Sequence, residues 1–229
     1  MKKIVVAADF TNPDSFYQLL DELKDLPVVI KIGQKLLPHV SLAFAIEKIH
    51  DFGFESFLDL KLYDIPTQVA DAVKSYAKLG VNYLTVHLSG GRKMIRQSVL
   101  AAEDSELCLL GVSVVTSFSP FDLAEVGLKQ APTEIVSQLV SIGVEESLQG
   151  FVCSGAESRL VRSLCAKKNH KAVICTPGIR LGLDEHDDQS RVMSFEQAVD
   201  SESNLLVIGR SIIQKEDKRA LVESLLEKI

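Results

Sequence analysis

Short apolar runs and longer stretches of helical period take turns along the chain, eight of each. The runs are Ile4 to Ala8, Val28 to Ile32, the stretch that begins at Phe57, Tyr83 to Leu88, Leu107 to Val115, Gly150 to Cys153, Ala172 to Cys175 and Leu205 to Ile208. Each is β-branched or leucine-rich and reads as a strand. The helical patterns are Ser15 to Lys24, Leu37 to Asp51, Thr67 to Leu79, Arg92 to Ala102, Thr133 to Glu146, Glu157 to Lys168, a short Phe195 to Val199, and Ser211 to Glu227. Asn12-Pro13 suits an N-cap followed by proline at the first helical position, while Gly80 and Gly143 suit the residue just past a helix end. Eight strand-helix units of roughly 28 residues predict an α/β fold, a closed (β/α)₈ TIM barrel occupying residues 1–229 as a single domain. No G-x-G-x-x-G follows a strand, which excludes an open dinucleotide-binding sheet.

The third run carries the densest chemistry. From Phe57 to Tyr63 the period of two puts Leu58, Leu60 and Leu62 on one face and Asp59 and Lys61 on the other. Pro66 ends the strand, leaves Asp64 in a loop and starts a helix at about Thr67. In α/β folds ligands gather at the carboxyl ends of strands, so Asp59, Lys61 and Asp64 stand where a site belongs. On an edge strand such charges are merely solvated; on an interior strand they need a partner or a ligand.

Composition narrows the function classes. Of 229 residues, 46% are hydrophobic and 24% charged, so the chain has the means to bury a large core. The net charge is −6 with the basic residues scattered, which argues against a nucleic-acid surface. Asp9 cuts the first apolar run too early for a signal peptide or a membrane span, and a cytoplasmic protein is expected. Cys108, Cys153, Cys165 and Cys175 lack metal or redox spacing and read as buried structural thiols.

A barrel brings its strand ends together, so polar residues remote in sequence can share one pocket. Those residues are Asp9, Lys31, Asp59, Lys61, Asp64, His87, Thr116, Arg180, Gly209 and Arg210. Taken singly, Lys31 also fits a paired lysine, Asp9 a helix cap and His87 a structural histidine; together the acids and lysines form an array in which each charge stabilises its neighbours. Thr176-Pro177-Gly178-Ile179-Arg180 after the seventh strand and Ile208-Gly209-Arg210-Ser211 after the eighth are placed to grip a phosphate.

Asp59-x-Lys61-x-x-Asp64-Ile65-Pro66-Thr67 resembles the signature of the orotidine 5′-phosphate decarboxylase family, in its bacterial type. Val6-Ala7-Ala8-Asp9, Lys31-Ile32-Gly33, Val86-His87-Leu88-Ser89-Gly90-Gly91, Val114-Val115-Thr116-Ser117, Thr176 to Arg180, Asp187 to Val192 and Val207-Ile208-Gly209-Arg210 resemble its other motifs in order. Leu181 and Ser211 stand where the family usually has proline. The resemblance implies conversion of orotidine 5′-phosphate to UMP and CO2, the last step of de novo pyrimidine synthesis, without cofactor or metal. It implies Lys61 as proton donor, Asp59 against the substrate carboxylate, and Lys31 and Asp64 completing the array. Asp9 and Lys31 would bind the ribose, Thr116 the pyrimidine, and Arg180, Gln189, Gly209 and Arg210 the phosphate. It further implies a homodimer in which Asp64 and Thr67 reach into the partner's pocket, with no nucleic-acid or membrane partner. Two alternatives stay open: a magnesium-dependent phosphosugar decarboxylase or aldolase of the same suprafamily, which resembles this chain in D-x-K-x-x-D but has glutamate in place of Lys31, and a non-catalytic phosphosugar-binding barrel.

Overall fold

The computed structural model describes residues 2–182 and 192–229. Its elements are β1 (Lys3–Ala7), α1 (Pro13–Leu23), β2 (Val29–Gly33), α2 (Leu42–Asp51), β3 (Glu55–Leu62), α3 (Pro66–Lys78), β4 (Tyr83–His87), α4 (Gly91–Ala102), β5 (Cys108–Val112), α5 (Pro120–Glu125), α6 (Pro132–Glu145), β6 (Gly150–Val152), α7 (Ser158–Ala166), β7 (Val173–Thr176), β8 (Ile179–Arg180), β9 (Met193–Ser194), α8 (Phe195–Val199), β10 (Leu205–Ile208), α9 (Arg210–Ile213) and α10 (Lys218–Leu226). Eight parallel strands close into a barrel in the order β1, β10, β7, β6, β5, β4, β3, β2. Among the described residues no helix is long and apolar enough to cross a membrane.

Strand alternation builds two separate cores. Ile4, Val6, Ile30, Ile32, Leu58, Leu84, Val86, Ile174, Leu206 and Ile208 point outward into the layer under the helices. Val5, Ala7, Val29, Phe57, Leu110, Cys175, Leu205 and Val207 point inward and fill the barrel. At the amino ends of the strands, Lys3 Nζ lies 2.7 Å from Glu55 Oε2, and the Tyr83 hydroxyl donates to the same oxygen at 3.2 Å. These groups close the barrel floor, so any site must open at the other end.

The structure departs from the sequence expectations in specific places. Asn12 caps α1 as expected, accepting from the Asp14 amide, and Gly80 ends α3 with φ at +77°. Gly143, expected past a helix end, instead lies inside α6, and the left-handed residue is Ser147. A Cβ at Gly143 would stand 2.5 Å from Phe151 Cε1 and 3.2 Å from Leu88 Cδ2, so this glycine lets α6 sit close over β6. The helix expected from Leu37 starts at Leu42, because Pro38 disfavours helical angles at Leu37 and the chain makes turns anchored on the Gly33 carbonyl first. The single helix expected from Ser211 to Glu227 is two, since Asp217 folds its carboxylate onto the Ala220 amide at 2.9 Å and starts a new one. Neither α5 nor the two-residue pair β8–β9 was expected.

His87, the last residue of β4, is half-buried, with its ring 5.9 Å from that of Tyr63 and 3.4 Å from the Ser89 hydroxyl. Burial, and then the neighbouring Lys61 charge, hold its pKa below the ordinary 6.5, so the folded protein favours the neutral ring. The stability His87 contributes is complete above the unfolded pKa and is lost as pH falls through that range.

Gly143→Ala is expected to lower stability by about 1 kcal/mol, an overpacking cost of about 2 kcal/mol outweighing a helix-propensity gain of about 1 kcal/mol. Thermal melts showing an unchanged or higher Tm would contradict this packing account. For His87→Gln, the Tm profile should be flatter than wild type between about pH 7 and pH 5, and parallel profiles would show that the ring carries no such linkage.

Candidate active site

The carboxyl ends of the strands surround a cavity of about 420 Å³. Its apolar lining includes Phe57, Val112, Val114, Val152 and Val207. Its charged lining includes side chains from β2, from β3 and from the end of β1, three neighbouring strands. On β2, Ile30 and Ile32 face the helices, so Lys31 must face the interior. On β3 the same alternation sends Leu58 outward and Asp59 inward. Asp9 follows the end of β1, the strand beside β2.

These side chains form a continuous chain of ion pairs. Lys31 Nζ lies 3.3 Å from Asp9 Oδ1 and 3.4 Å from Asp59 Oδ2, while Lys61 Nζ lies 2.9 Å from Asp59 Oδ1. Asp59 therefore bridges the two lysines with its two oxygens. Burial lowers the pKa of Lys31, but the carboxylates of Asp59 and Asp9 overcome that cost and hold it above the ordinary lysine value. Burial likewise opposes charge on Asp59, yet Lys31, Lys61 and the Thr85 hydroxyl carry its pKa below the ordinary value. Both groups are thus ionised at neutral pH.

Lys61 departs from the regular strand. Its φ is +52°, and the pairing of β3 with β4 slips between Leu58 and Leu62. The Lys61 amide donates to Thr85 Oγ1 at 2.8 Å, and Thr85 donates to Asp59 Oδ1 at 3.0 Å. This bulge directs the Lys61 side chain over the cavity.

Thr116 beyond β5 and Pro177, Gly178 and Arg180 after β7 also line the cavity, and Gly209 and Arg210 line it after β10, the strand beside β1. Gly178 has φ +81°, which lets the chain turn back sharply enough for Ile179 and Arg180 to pair with Met193 and Ser194. Gly209 approaches the acids closely: a Cβ there would be 3.9 Å from Asp9 Oδ2. Asp9, Lys31, Asp59, Lys61, Thr116, Arg180, Gly209 and Arg210 therefore all line one cavity, as the strand-end pattern predicts.

Three expected residues do not line it within the chain. Asp64 and Thr67 are exposed at the start of α3, where the Asp64 carboxylate accepts the Ile65 amide, and His87 is also outside the lining. Gln189 lies outside the described residues. Three lining residues were not anticipated: Gln34, Lys35 and Thr85. Thr85 shares its strand face with Tyr83 and His87, a signal present in β4, whereas Gln34 and Lys35 sit in a loop without periodicity. Cys153 and Cys175 form part of the wall, and burial pushes the Cys175 thiol well above its ordinary pKa and that of Cys108 up to about 12. These thiols are packing groups rather than nucleophiles.

Comparison with known proteins agrees with this geometry. The family model described as "Orotidine 5'-phosphate decarboxylase / HUMPS family" matches residues 2–225. The chain is 38% identical over 216 residues to an orotidine 5′-phosphate decarboxylase of Tolumonas auensis, covering 93% of this chain and 91% of the relative. It is 37% identical over 227 residues to one of Legionella pneumophila, covering 98% and 97%. The crystal structure of orotidine 5′-phosphate decarboxylase from Lactobacillus acidophilus superimposes with a TM-score of 0.83 at 29% identity, covering 100% of this chain and 99% of that one. By sequence along nearly its whole length and by the closed barrel with its Asp-Lys array, the chain belongs to the orotidine 5′-phosphate decarboxylase / HUMPS family.

Proposed function

We propose that the chain decarboxylates orotidine 5′-phosphate to UMP and CO2, the last step of de novo pyrimidine synthesis. The observation that carries this reading is Asp59 held ionised between Lys31 and Lys61 in a cavity that Arg180 and Arg210 also line. The phosphate is gripped by Arg180, Arg210 and the backbone at Gly209, joined by Gln189, and the pyrimidine lies against the valine wall within reach of Thr116. Asp9 and Lys31 bind the ribose hydroxyls. That binding energy holds the substrate carboxylate against Asp59, a like-charge contact relieved when the carbon-carbon bond breaks and CO2 leaves. The electron pair remains on the ring carbon, where the fixed charge of Lys61 stabilises it. Lys61 then delivers its proton to that carbon and recovers one from water.

Placement of Lys31 supports this reading over a magnesium-dependent relative. Its ammonium sits between the Asp9 and Asp59 carboxylates, in the space a divalent ion would need. A non-catalytic barrel has no use for a buried lysine and a second lysine competing for one carboxylate, since such burial is costly.

The partner in this reading is a second copy of the chain, forming a cytoplasmic homodimer that binds neither nucleic acid nor membrane. Support comes from the β3–α3 connection, where Tyr63 is 64% and Ile65 61% exposed beside the two acids' own strand. Burying that connection against another copy carries Asp64 and Thr67 into the neighbouring cavity.

Purified protein should release CO2 from orotidine 5′-phosphate at the same rate with or without EDTA; no turnover, or turnover abolished by the chelator, overturns the reading. Lys61→Ala should stay folded and lose about a thousandfold in kcat, and a near-normal rate reassigns the proton donor. Mixing refolded Lys61→Ala and Asp64→Ala, each nearly inactive, should restore about a quarter of wild-type activity, because half the dimers then hold one intact site. Failure to restore any activity would place Asp64 in its own chain's site.

A further inference from the structure

Thr85 is buried in the middle of β4, and its hydroxyl is committed in two directions. It donates to Asp59 Oδ1 at 3.0 Å and accepts the backbone amide of Lys61 at 2.8 Å. The same Asp59 oxygen takes the Lys61 ammonium at 2.9 Å. Three groups therefore meet at one point: a strand hydroxyl, a carboxylate, and a lysine held at both its backbone and its side-chain end.

The backbone shows what this does. Phe57 pairs with Tyr83 and Leu58 with Leu84, but the next pair is Leu62 with Val86, so β3 takes four steps where β4 takes two. The extra residues leave the ladder, and Lys61 adopts the left-handed conformation that a side chain disfavours. An amide removed from a ladder needs another acceptor, and Thr85 Oγ1 is the one it has. Without that acceptor the stretch between Leu58 and Leu62 is free to change its backbone angles, and a change of angle at Lys61 re-aims its side chain.

Resting on the decarboxylase reading above, we propose that Thr85 is a positioning residue, whose hydroxyl holds the bulge that aims Lys61 at the reacting carbon. It touches neither the phosphate grip nor the ribose-binding acid Asp9. Removing the hydroxyl then slows the chemical step and leaves nucleotide binding nearly intact. A threonine needed only for packing predicts the reverse: valine of the same shape costs nothing in turnover.

The test compares wild type, Thr85→Val and Thr85→Ser for kcat on orotidine 5′-phosphate, UMP binding by calorimetry, and thermal stability. Thr85→Val is expected to lose about tenfold to a hundredfold in kcat while UMP affinity stays within about threefold, and Thr85→Ser to recover most of the rate. Should the valine variant not fold, Thr85→Ala removes the same hydroxyl without adding volume. A hydroxyl-free variant with wild-type kcat overturns the proposal, as does a serine variant no better than valine, or a kcat loss matched by lost UMP binding. Inactive wild type sinks the decarboxylase reading instead. In that event the crystal structure of the hydroxyl-free variant decides on Thr85: Lys61 still left-handed and within about 4 Å of Asp59 refutes the positioning role.

Discussion

One carboxylate shared by two lysines governs this structure. Asp59 gives one oxygen to Lys31 and the other to Lys61, and each member of the set is tolerable only because of the others. Lys31 is buried, and stripping a partner from a buried ion pair commonly costs about 3–5 kcal/mol. Asp9 shares that burden from the end of β1. The barrel makes the arrangement available: parallel neighbours β1, β2 and β3 present their inward residues side by side, so charges far apart in sequence arrive within ion-pair distance without a loop having to fold over them.

Much of this was legible because strand chemistry is periodic. A lysine between Ile30 and Ile32 has to face the barrel interior, and an aspartate between Leu58 and Leu60 has to do the same. The leucines, in turn, name the face that packs on helices. The strand-end rule then brings Thr116, Arg180, Gly209 and Arg210 to the same cavity. Asp64 and Thr67 could not be seated this way, since both belong to an exposed connection whose surroundings are set by whatever packs on it.

What could not be read arises where local chemistry interrupts the period. The bulge at Lys61 leaves no mark in the alternation of Leu58, Leu60 and Leu62, and the group that takes its amide is a hydroxyl from the next strand. Gly143 looks like a helix end in one dimension, and only the Phe151 ring above it explains a glycine inside α6. The break between α9 and α10 follows from the Asp217 cap, which competes with helix continuation over four residues. For α5 the signal was present and passed over: Ser119, Pro120 and Asp122 form a capping box, with the serine amide bonded to Asp122 at 2.7 Å.

The two ends of the barrel are both charged, yet they differ in kind. At the top the ion pairs border open space, whereas at the floor Lys3, Glu55 and Tyr83 saturate one another above the packed layer of Phe57, Leu110 and Leu205. Among the described residues the binding chamber is therefore a shaft closed at its floor. A nucleotide held there leaves towards the carboxyl ends of the strands and not through the floor, so entry and departure share that end of the barrel.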